Sequence, residues 1–232
     1  MKKTLLIFLF LPMINYSQTV LDYIDKAESY EEDKEYELAI DNYSKAINIE
    51  PKDDVLYFLR AGVYEMLENY TDAISDYTRA IEIQSTDADY YFYRAGVYEM
   101  LENYTDAISD YTRAIEIQST DADYYFYRGR SYIYLDEKFE DAILDFTRAI
   151  KIDPNNALFY YNRAVAFHAL KDYEDAISDY TRAIKIYPDY SSAYKGRGIA
   201  KSNLNEVFCN DFKFGCSLGD EECCEWYYKH CR

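Results

Sequence analysis

The chain has 232 residues, of which 43 are acidic and 25 are lysine or arginine, and its formal net charge at pH 7 is −18. A surface of this sign repels nucleic-acid phosphates and anionic lipid headgroups, so we predict that nucleic acid is not a partner. Hydrophobic residues make up 49% of the chain, which is ample for a folded protein.

The first 17 residues have the pattern of a secretory signal peptide. Lys2 and Lys3 precede an apolar run over residues 5–14, which is too short to span a bilayer. We predict cleavage near Ser17–Gln18 and export to the periplasm or out of the cell, as for a bacterial signal. No cysteine lies near the cut, which disfavours a lipid anchor. The alternative is an uncleaved N-terminal anchor.

A 34-residue string occurs twice in succession, at 61–94 and 95–128, without a single difference. Its small and aromatic positions recur at nearly the same period through most of the chain. A unit of this size cannot bury its apolar face alone, so the repeats must stack on one another in one dimension. The period predicts five repeats, at about 20–53, 54–87, 88–121, 122–156 and 157–190.

Each repeat carries the pattern of two helices. In the first repeat, Ala39, Tyr43 and Ala46 are separated by four and three residues, which places them on one stripe of a second helix. The same spacing recurs in the four later repeats. Upstream of each stripe, another aromatic residue such as Tyr30 marks a first helix.

This order of aromatic and small positions, with prolines such as Pro51 after the second helix, resembles the tetratricopeptide repeat family. The resemblance covers most of the chain. It implies an all-α fold, a right-handed superhelical solenoid of antiparallel helix pairs with five such units and a C-terminal helical cap. It also implies a non-catalytic scaffold that binds a peptide or protein segment in a concave groove lined by the first helices.

The resemblance assigns one position of each first helix, occupied by Phe58 in the second repeat, to the concave face. Rings at this position beside glycine gaps, flanked by glutamates, would bind a neutral or basic peptide through apolar and aromatic contacts. A basic segment could also pair with Glu65 and Glu99. The alternative is that the rings only fill the space between helices. The predicted groove residues are Phe58, Gly62, Glu65, Phe92, Tyr93, Gly96, Glu99, Phe126, Tyr127, Arg130, Tyr161 and His168.

Chaperone-binding members of the family hold an acidic C-terminal peptide with a carboxylate clamp of lysine and asparagine side chains. The matching positions here are Phe58, Gly62, Tyr93, Asp123 and Tyr127. The clamp is therefore absent.

Residues that would carry catalysis are scarce. The two histidines, His168 and His230, lie in different regions, and the sequence has no glycine-rich phosphate loop and no metalloprotease motif. We predict that the protein is not an enzyme and has no cofactor or metal. The rival to a peptide-binding scaffold is an architectural or assembly role in the cell envelope with no defined ligand in the groove.

An arginine recurs in each first helix from the second repeat onward, at a position that commonly holds leucine in the family. An aspartate precedes the second-helix aromatic residue of the same repeat, as in Arg60 and Asp76. We predict a ladder of partly buried Arg–carboxylate pairs between adjacent helices. The corresponding pairs are Arg94 with Asp110, Arg128 with Asp145, and Arg163 with Asp179.

All five cysteines lie in the last 24 residues, within a predicted cap over residues 191–232. A hairpin of two short helices around Gly219 and Asp220 brings together two pairs of cysteines, which predicts two disulfides in an exported protein. The helical rise between the cysteines disfavours a single zinc site. The alternative is reduced, buried cysteines. The predicted bonds are Cys209–Cys231 and Cys216–Cys224, with Cys223 left over.

Overall fold

A computed structural model describes residues 17–135 and 138–231, so the predicted signal segment lies outside the described residues except for Ser17. In these residues the structure has thirteen α-helices and no strand, which confirms the all-α fold class. The chain divides into two compact units, one ending at Ser85 and the other beginning at Thr86.

The first unit contains two helix pairs. Helices α1 (Gln18–Glu32) and α2 (Tyr36–Ile49) form the first pair, and α3 (Asp54–Met66) and α4 (Tyr70–Ile83) form the second. The turn inside each pair contains a left-handed residue, Lys34 with φ 61° and Glu68 with φ 57°.

The second unit contains nine helices among its described residues. Three further pairs are followed by three more helices; α1 begins at Gln18, before the predicted start of the first repeat at about 20, and the other four pairs lie within their predicted ranges. The bounds are α5 (Ala88–Met100), α6 (Tyr104–Ile117), α7 (Ala122–Tyr134), α8 (Phe139–Ile152), α9 (Ala157–Ala169), α10 (Tyr173–Ile186), α11 (Ser191–Asn203), α12 (Cys209–Ser217) and α13 (Glu221–His230).

Several helices begin where an acidic or amide side chain caps free backbone N–H groups. Asp53 accepts hydrogen bonds from the N–H groups of Val55 and Leu56 at the start of α3. Asn103 caps α6 by accepting from the N–H of Asp106. Such caps fix the start of these helices and therefore the register of the side chains that follow.

The aromatic residue of each second helix is buried between small neighbours. Tyr43 and Phe146 are fully buried, and the alanines on either side of them in sequence, such as Ala39 and Ala149, are fully buried as well. This confirms the predicted stripe. Because the stripes recur at the repeat period, each unit has an elongated apolar core.

The predicted arginine ladder is confirmed. In the first unit, Arg60 Nε lies 2.7 Å from Asp76 Oδ2 and Arg60 Nη2 lies 2.9 Å from Oδ1. In the second unit, Arg94 binds Asp110 with distances of 2.7 and 2.8 Å. Equivalent two-point pairs join Arg128 with Asp145 and Arg163 with Asp179.

The remaining guanidinium nitrogen, Nη1, reaches back to a hydroxyl of the preceding helix pair. Arg128 Nη1 donates to Thr112 Oγ1 at 3.0 Å, and Arg163 Nη1 donates to Thr147 Oγ1 at 2.9 Å. Arg128 and Arg163 therefore each tie their own helix pair to the one before it and help to fix the register.

The cap continues the repeat pattern in shortened form. Phe212 is fully buried and Asp211 pairs with Arg197, with Arg197 Nη2 2.6 Å from Asp211 Oδ1. The structure brings both predicted cysteine pairs close together, with Cα–Cα separations of 5.6 Å for Cys209 and Cys231 and 4.5 Å for Cys216 and Cys224.

Cys223 is the remaining thiol and is fully buried. A Cβ placed on Gly215 would collide with its sulfur, so the glycine makes room for it. Burial raises the pKa of the Cys223 thiol to about 12, which keeps it protonated and unreactive at neutral pH.

In the described part of the chain no helix has the length and apolarity needed to cross a membrane.

Candidate functional site: the first-helix face

The first helices of the second unit present a mixed aromatic and polar surface, which we call the first-helix face. It is formed by half-buried side chains on α5, α7 and α9, together with the backbone at Gly96. On each helix its members are three or seven residues apart, and such positions share one side of a helix. The face comprises Tyr93, Gly96, Tyr127, Arg130, Tyr161 and His168.

Two of the aromatic rings predicted to be exposed are buried instead. Phe126 is only 4% exposed, because its ring packs 5.2 Å from that of Phe159 and 5.8 Å from that of Phe146. In the first unit Phe58 is 7% exposed and packs 5.6 Å from Tyr77. The expectation that these rings line an open groove is corrected: they belong to the core.

Phe92 is half-buried and lies at the centre of an aromatic cluster. Its ring centroid is 5.1 Å from that of Tyr124, and 5.4 Å from those of Tyr93 and Tyr127. Phe92 therefore supports the rings of the first-helix face more than it forms that face itself. Tyr124 is fixed in turn by donating a hydrogen bond to Asp89 Oδ1 at 2.7 Å.

The glycines at the predicted gaps do lie beneath open space. A Cβ placed on Gly96 would have no neighbour within 4 Å, and the same holds for Gly62 in the first unit. By contrast, a Cβ on Gly129 would lie 2.9 Å from the ring of Phe146, so that glycine is required by packing. Gly96 and Gly62 are therefore uncovered backbone on which another side chain can rest.

Glu99 is buried and its carboxylate is already paired with an arginine of the chain, so it is not open to a ligand. Its carboxylate lies 2.5 Å from Arg130 Nη2 and accepts hydrogen bonds from Ser131 Oγ at 2.6 Å and Tyr111 OH at 3.2 Å. The guanidinium of Arg130 also lies 4.7 Å from the ring centre of Tyr127. The expected pairing of Glu99 with a basic ligand is thus replaced by a pairing within the chain.

Two equivalent glutamates in the first unit are only half-buried. Tyr43 OH donates to Glu31 Oε1 at 2.6 Å, and Tyr77 OH donates to Glu65 Oε1. Burial is the main cause that raises the pKa of both carboxyl groups, and the tyrosine hydrogen bonds oppose this shift. Both acids are therefore partly desolvated, and neither has an ion-pair partner among the residues that the structure describes.

The other end of the first-helix face is formed by His168 and Tyr161. Burial lowers the pKa of the His168 imidazole, so the ring is neutral at pH 7, and it lies 5.3 Å from that of Tyr173. The Tyr161 ring packs 4.8 Å from that of Tyr190. Both side chains are held by neighbours and remain accessible from one side.

Sequence reasoning missed the Glu–Tyr pairing. Glutamate and tyrosine are twelve residues apart in the pairs Glu31–Tyr43 and Glu65–Tyr77, and the spacing recurs in the third repeat. This recurrence was a usable signal, because it places the two groups on the paired helices of one repeat. Among residues 17–135 and 138–231, no group of three or more His, Cys, Asp or Glu side chains could hold a metal ion.

Models of the tetratricopeptide repeat match residues 23–53, 59–123 and 157–190, and a TPR repeat model matches residues 133–171. The chain belongs to the tetratricopeptide repeat family. Comparison with curated proteins finds no match to this tetratricopeptide repeat protein.

Several solved structures share the fold. The C-terminal part of a TPR repeat-containing protein from Cytophaga hutchinsonii is 19% identical, with a TM-score of 0.74 over 88% of this chain and 81% of that one. A tetratricopeptide repeat protein from Parabacteroides merdae is 16% identical, with a TM-score of 0.72 over 92% of each chain. YrrB, a TPR protein with an unusual peptide-binding site, is 18% identical, with a TM-score of 0.70 over 81% of this chain and 97% of that one. At these identities the likeness establishes the fold.

Proposed function

We propose that this protein is a non-catalytic interaction scaffold that binds a peptide or protein segment on the first-helix face of its second unit. The observation that carries the proposal is the open space over Gly96. It lies one helical turn from Phe92, whose ring supports Tyr93 and Tyr127. An uncovered backbone beside half-buried tyrosines offers both a recess and large, rigid contact surfaces to a partner.

The bound segment is neutral or basic under this proposal. The chain carries 43 acidic and 25 basic residues, so an acidic segment would be repelled over most of the surface. The lysine and asparagine side chains of a carboxylate clamp are replaced by Tyr93 and Tyr127 on this face. Among the solved relatives, YrrB is a TPR protein with a peptide-binding site, which is consistent with such a role for the fold.

The proposal is tested by selecting peptides from a random displayed library against the purified protein and against two variants. A Gly96→Trp change fills the open space without a clash at Cβ, and Ser109→Trp adds the same ring at an exposed position of α6. We expect selected peptides to bind the wild type and Ser109→Trp alike. They should bind Gly96→Trp about thirtyfold more weakly, as for an interface contact of about 2 kcal/mol. Equal binding to all three proteins would contradict the proposal.

A second candidate is an architectural or assembly role in the cell envelope. It is favoured by the burial of Phe58 and Phe126, since rings that fill the core are not available to a ligand. In that case the selection yields no peptide sensitive to Gly96→Trp. The protein then co-sediments with isolated envelopes to the same extent with and without the substitution.

We also propose that the mature protein begins near Gln18 and is exported, with five repeats over residues 20–190 and a disulfide-bonded cap over 191–232. The cysteine pairs in the cap support this, because disulfides persist in oxidising compartments. Thiol titration of the denatured, unreduced protein from its source should count one thiol, Cys223. A count of five thiols, or an N-terminus at Met1, would overturn the proposal.

A further inference from the structure

In the first unit, open space lies over Gly62 on α3, and Glu31 on α1 and Tyr43 on α2 stand at the repeat positions of Glu99 and Tyr111; we call this region the cleft over Gly62. Its acid is Glu31, whose Oε1 accepts a hydrogen bond from Tyr43 OH at 2.6 Å. The other oxygen, Oε2, has no hydrogen-bond partner in the part of the chain that the structure describes. No atom lies within 4 Å of the position where a Cβ of Gly62 would stand.

The second unit contains the same arrangement with the cleft filled. Glu99 and Tyr111 occupy the places of Glu31 and Tyr43, and the residue at the place of Gly62 is Arg130. Arg130 Nη2 lies 2.5 Å from Glu99 Oε2, so the chain itself supplies a cation to the carboxylate. The pairing of Arg130 with Glu99 indicates that a cation would also be bound at the equivalent position beside Glu31.

We propose that the cleft over Gly62 receives a lysine or arginine side chain from the bound partner, which pairs with Glu31 as Arg130 pairs with Glu99. This inference rests on the proposed function, because it takes the first helices as the side on which a partner binds. It adds the chemical class of one residue of that partner.

The surroundings of Glu31 favour a cation and little else. Glu28 contributes a second negative charge that acts on Glu31, and burial removes part of the solvent that would screen the two. The positions of Tyr127 and Ser131 are occupied here by Leu59 and Val63, which offer neither a ring face for guanidinium nor a hydroxyl donor. The carboxylate is therefore the main determinant, and lysine should bind about as well as arginine.

The test uses N-acetyl-arginine amide and N-acetyl-lysine amide as probes, with the uncharged isostere N-acetyl-citrulline amide as the control. Binding is measured on the whole protein by two-dimensional NMR, from the shifts of the Gly62 amide and the Glu31 carboxyl carbon. We expect both cationic probes to shift these signals in a saturable way and citrulline amide to bind about tenfold more weakly or not at all.

Two variants examine the cleft directly. Gly62→Arg places the cation within the chain and should abolish probe binding, and Glu31→Gln removes the charge with little change of shape. Gly62→Ala is the matched control and should keep binding within about twofold, since its methyl group fits the open space. Equal binding of arginine and citrulline amides, or unchanged binding to Gly62→Arg, would overturn the inference.

Failure here and failure of the proposed function are distinguishable. If the inference alone is wrong, selected peptides still lose binding on Gly96→Trp, but replacing their basic residues by citrulline or glutamine has no effect. If the proposed function is wrong, no selected peptide responds to Gly96→Trp, whatever the probes do at Glu31.

Discussion

The clefts at Glu31 and Glu99 are built alike but are completed differently. Each has a glutamate at the end of a first helix and a buried tyrosine on the second helix of the same repeat. At Glu99 the following repeat adds Arg130 and Ser131, and the acid is buried. At Glu31 the following repeat adds Gly62 and Val63, and the acid stays half-buried with one partner.

The difference shows that a site in this fold belongs to two successive repeats. A repeat supplies its own glutamate and tyrosine, and the next repeat decides whether the carboxylate is neutralised. Identical repeat sequences can therefore carry different surfaces, as the identical strings at 61–94 and 95–128 illustrate. The repeats that follow them differ at the positions of Gly96 and Arg130.

The largest loss of stability should come from breaking the Arg–Asp ladder, and it should be similar in the first and second units. We expect Asp76→Ala in the first unit and Asp110→Ala in the second each to lower the free energy of unfolding by about 3 to 5 kcal/mol, because each leaves a largely buried guanidinium without its carboxylate. Urea unfolding measures the loss. Glu82→Ala, in an exposed ion pair, is the control, and a loss no greater than that of the control would show that the ladder contributes little.

The ion pair between Arg130 and Glu99 should give the site at Glu99 a contribution to stability that the site at Glu31 lacks. We expect Arg130→Gly to lower the free energy of unfolding by about 2 to 3 kcal/mol, since it leaves Glu99 buried without a cation. The value is below that of the ladder because the Arg130 side chain is 34% exposed and its Nε has no hydrogen-bond partner among the described residues.

A double-mutant cycle with Glu99→Gln tests whether the loss of stability in Arg130→Gly comes from the unpaired charge of Glu99. In the Glu99→Gln background, Arg130→Gly should cost much less, because the uncompensated charge is gone. Additive losses would show that Arg130 stabilises the protein through packing on Tyr127 alone.

Glycine substitutions should distinguish open clefts from packed ones. Gly62→Ala and Gly96→Ala are each expected to raise the free energy of unfolding by about 1 kcal/mol, because alanine favours a helix interior and meets no neighbour there. Gly129→Ala should lower it instead, since its methyl group would press on Phe146. Thermal unfolding of the three variants is sufficient, and a loss for Gly62→Ala would mean that the cleft is not open.

The smallest effect is a shift of the unfolding midpoint, which should have opposite signs when glutamine replaces Glu31 and when it replaces Glu99. Burial raises the pKa of Glu31, so the folded state holds its proton more tightly and this group's contribution to stability falls as the pH rises through the raised pKa. Glu31→Gln should therefore raise the unfolding midpoint slightly at pH 7, and this gain should vanish at acid pH. Glu99→Gln should lower the midpoint at pH 7, because it weakens the pair with Arg130. The same sign for both variants at pH 7 would contradict the comparison.

Much of this structure could be predicted from the sequence because it depends on periodic positions. The repeat period predicted the helix pairs and the stripe of Tyr43 and its counterparts, and the recurring Arg–Asp spacing predicted the ladder. The burial of Phe126 could not be predicted in this way, because the direction of its ring is set by packing on Phe159 of the next repeat, as Phe92 packs on Tyr124, and not by its own position alone. The pairing of Glu99 with Arg130 was missed because Arg130 interrupts the repeat pattern.

The most direct test of the first-helix face is to capture partners from the exported fraction of the source cell with the wild type, Gly96→Trp and Ser109→Trp proteins, each verified to be folded. The account predicts that at least one protein is retained by the wild type and Ser109→Trp and lost by Gly96→Trp. Equal recovery on all three would contradict it and would place the function away from this face.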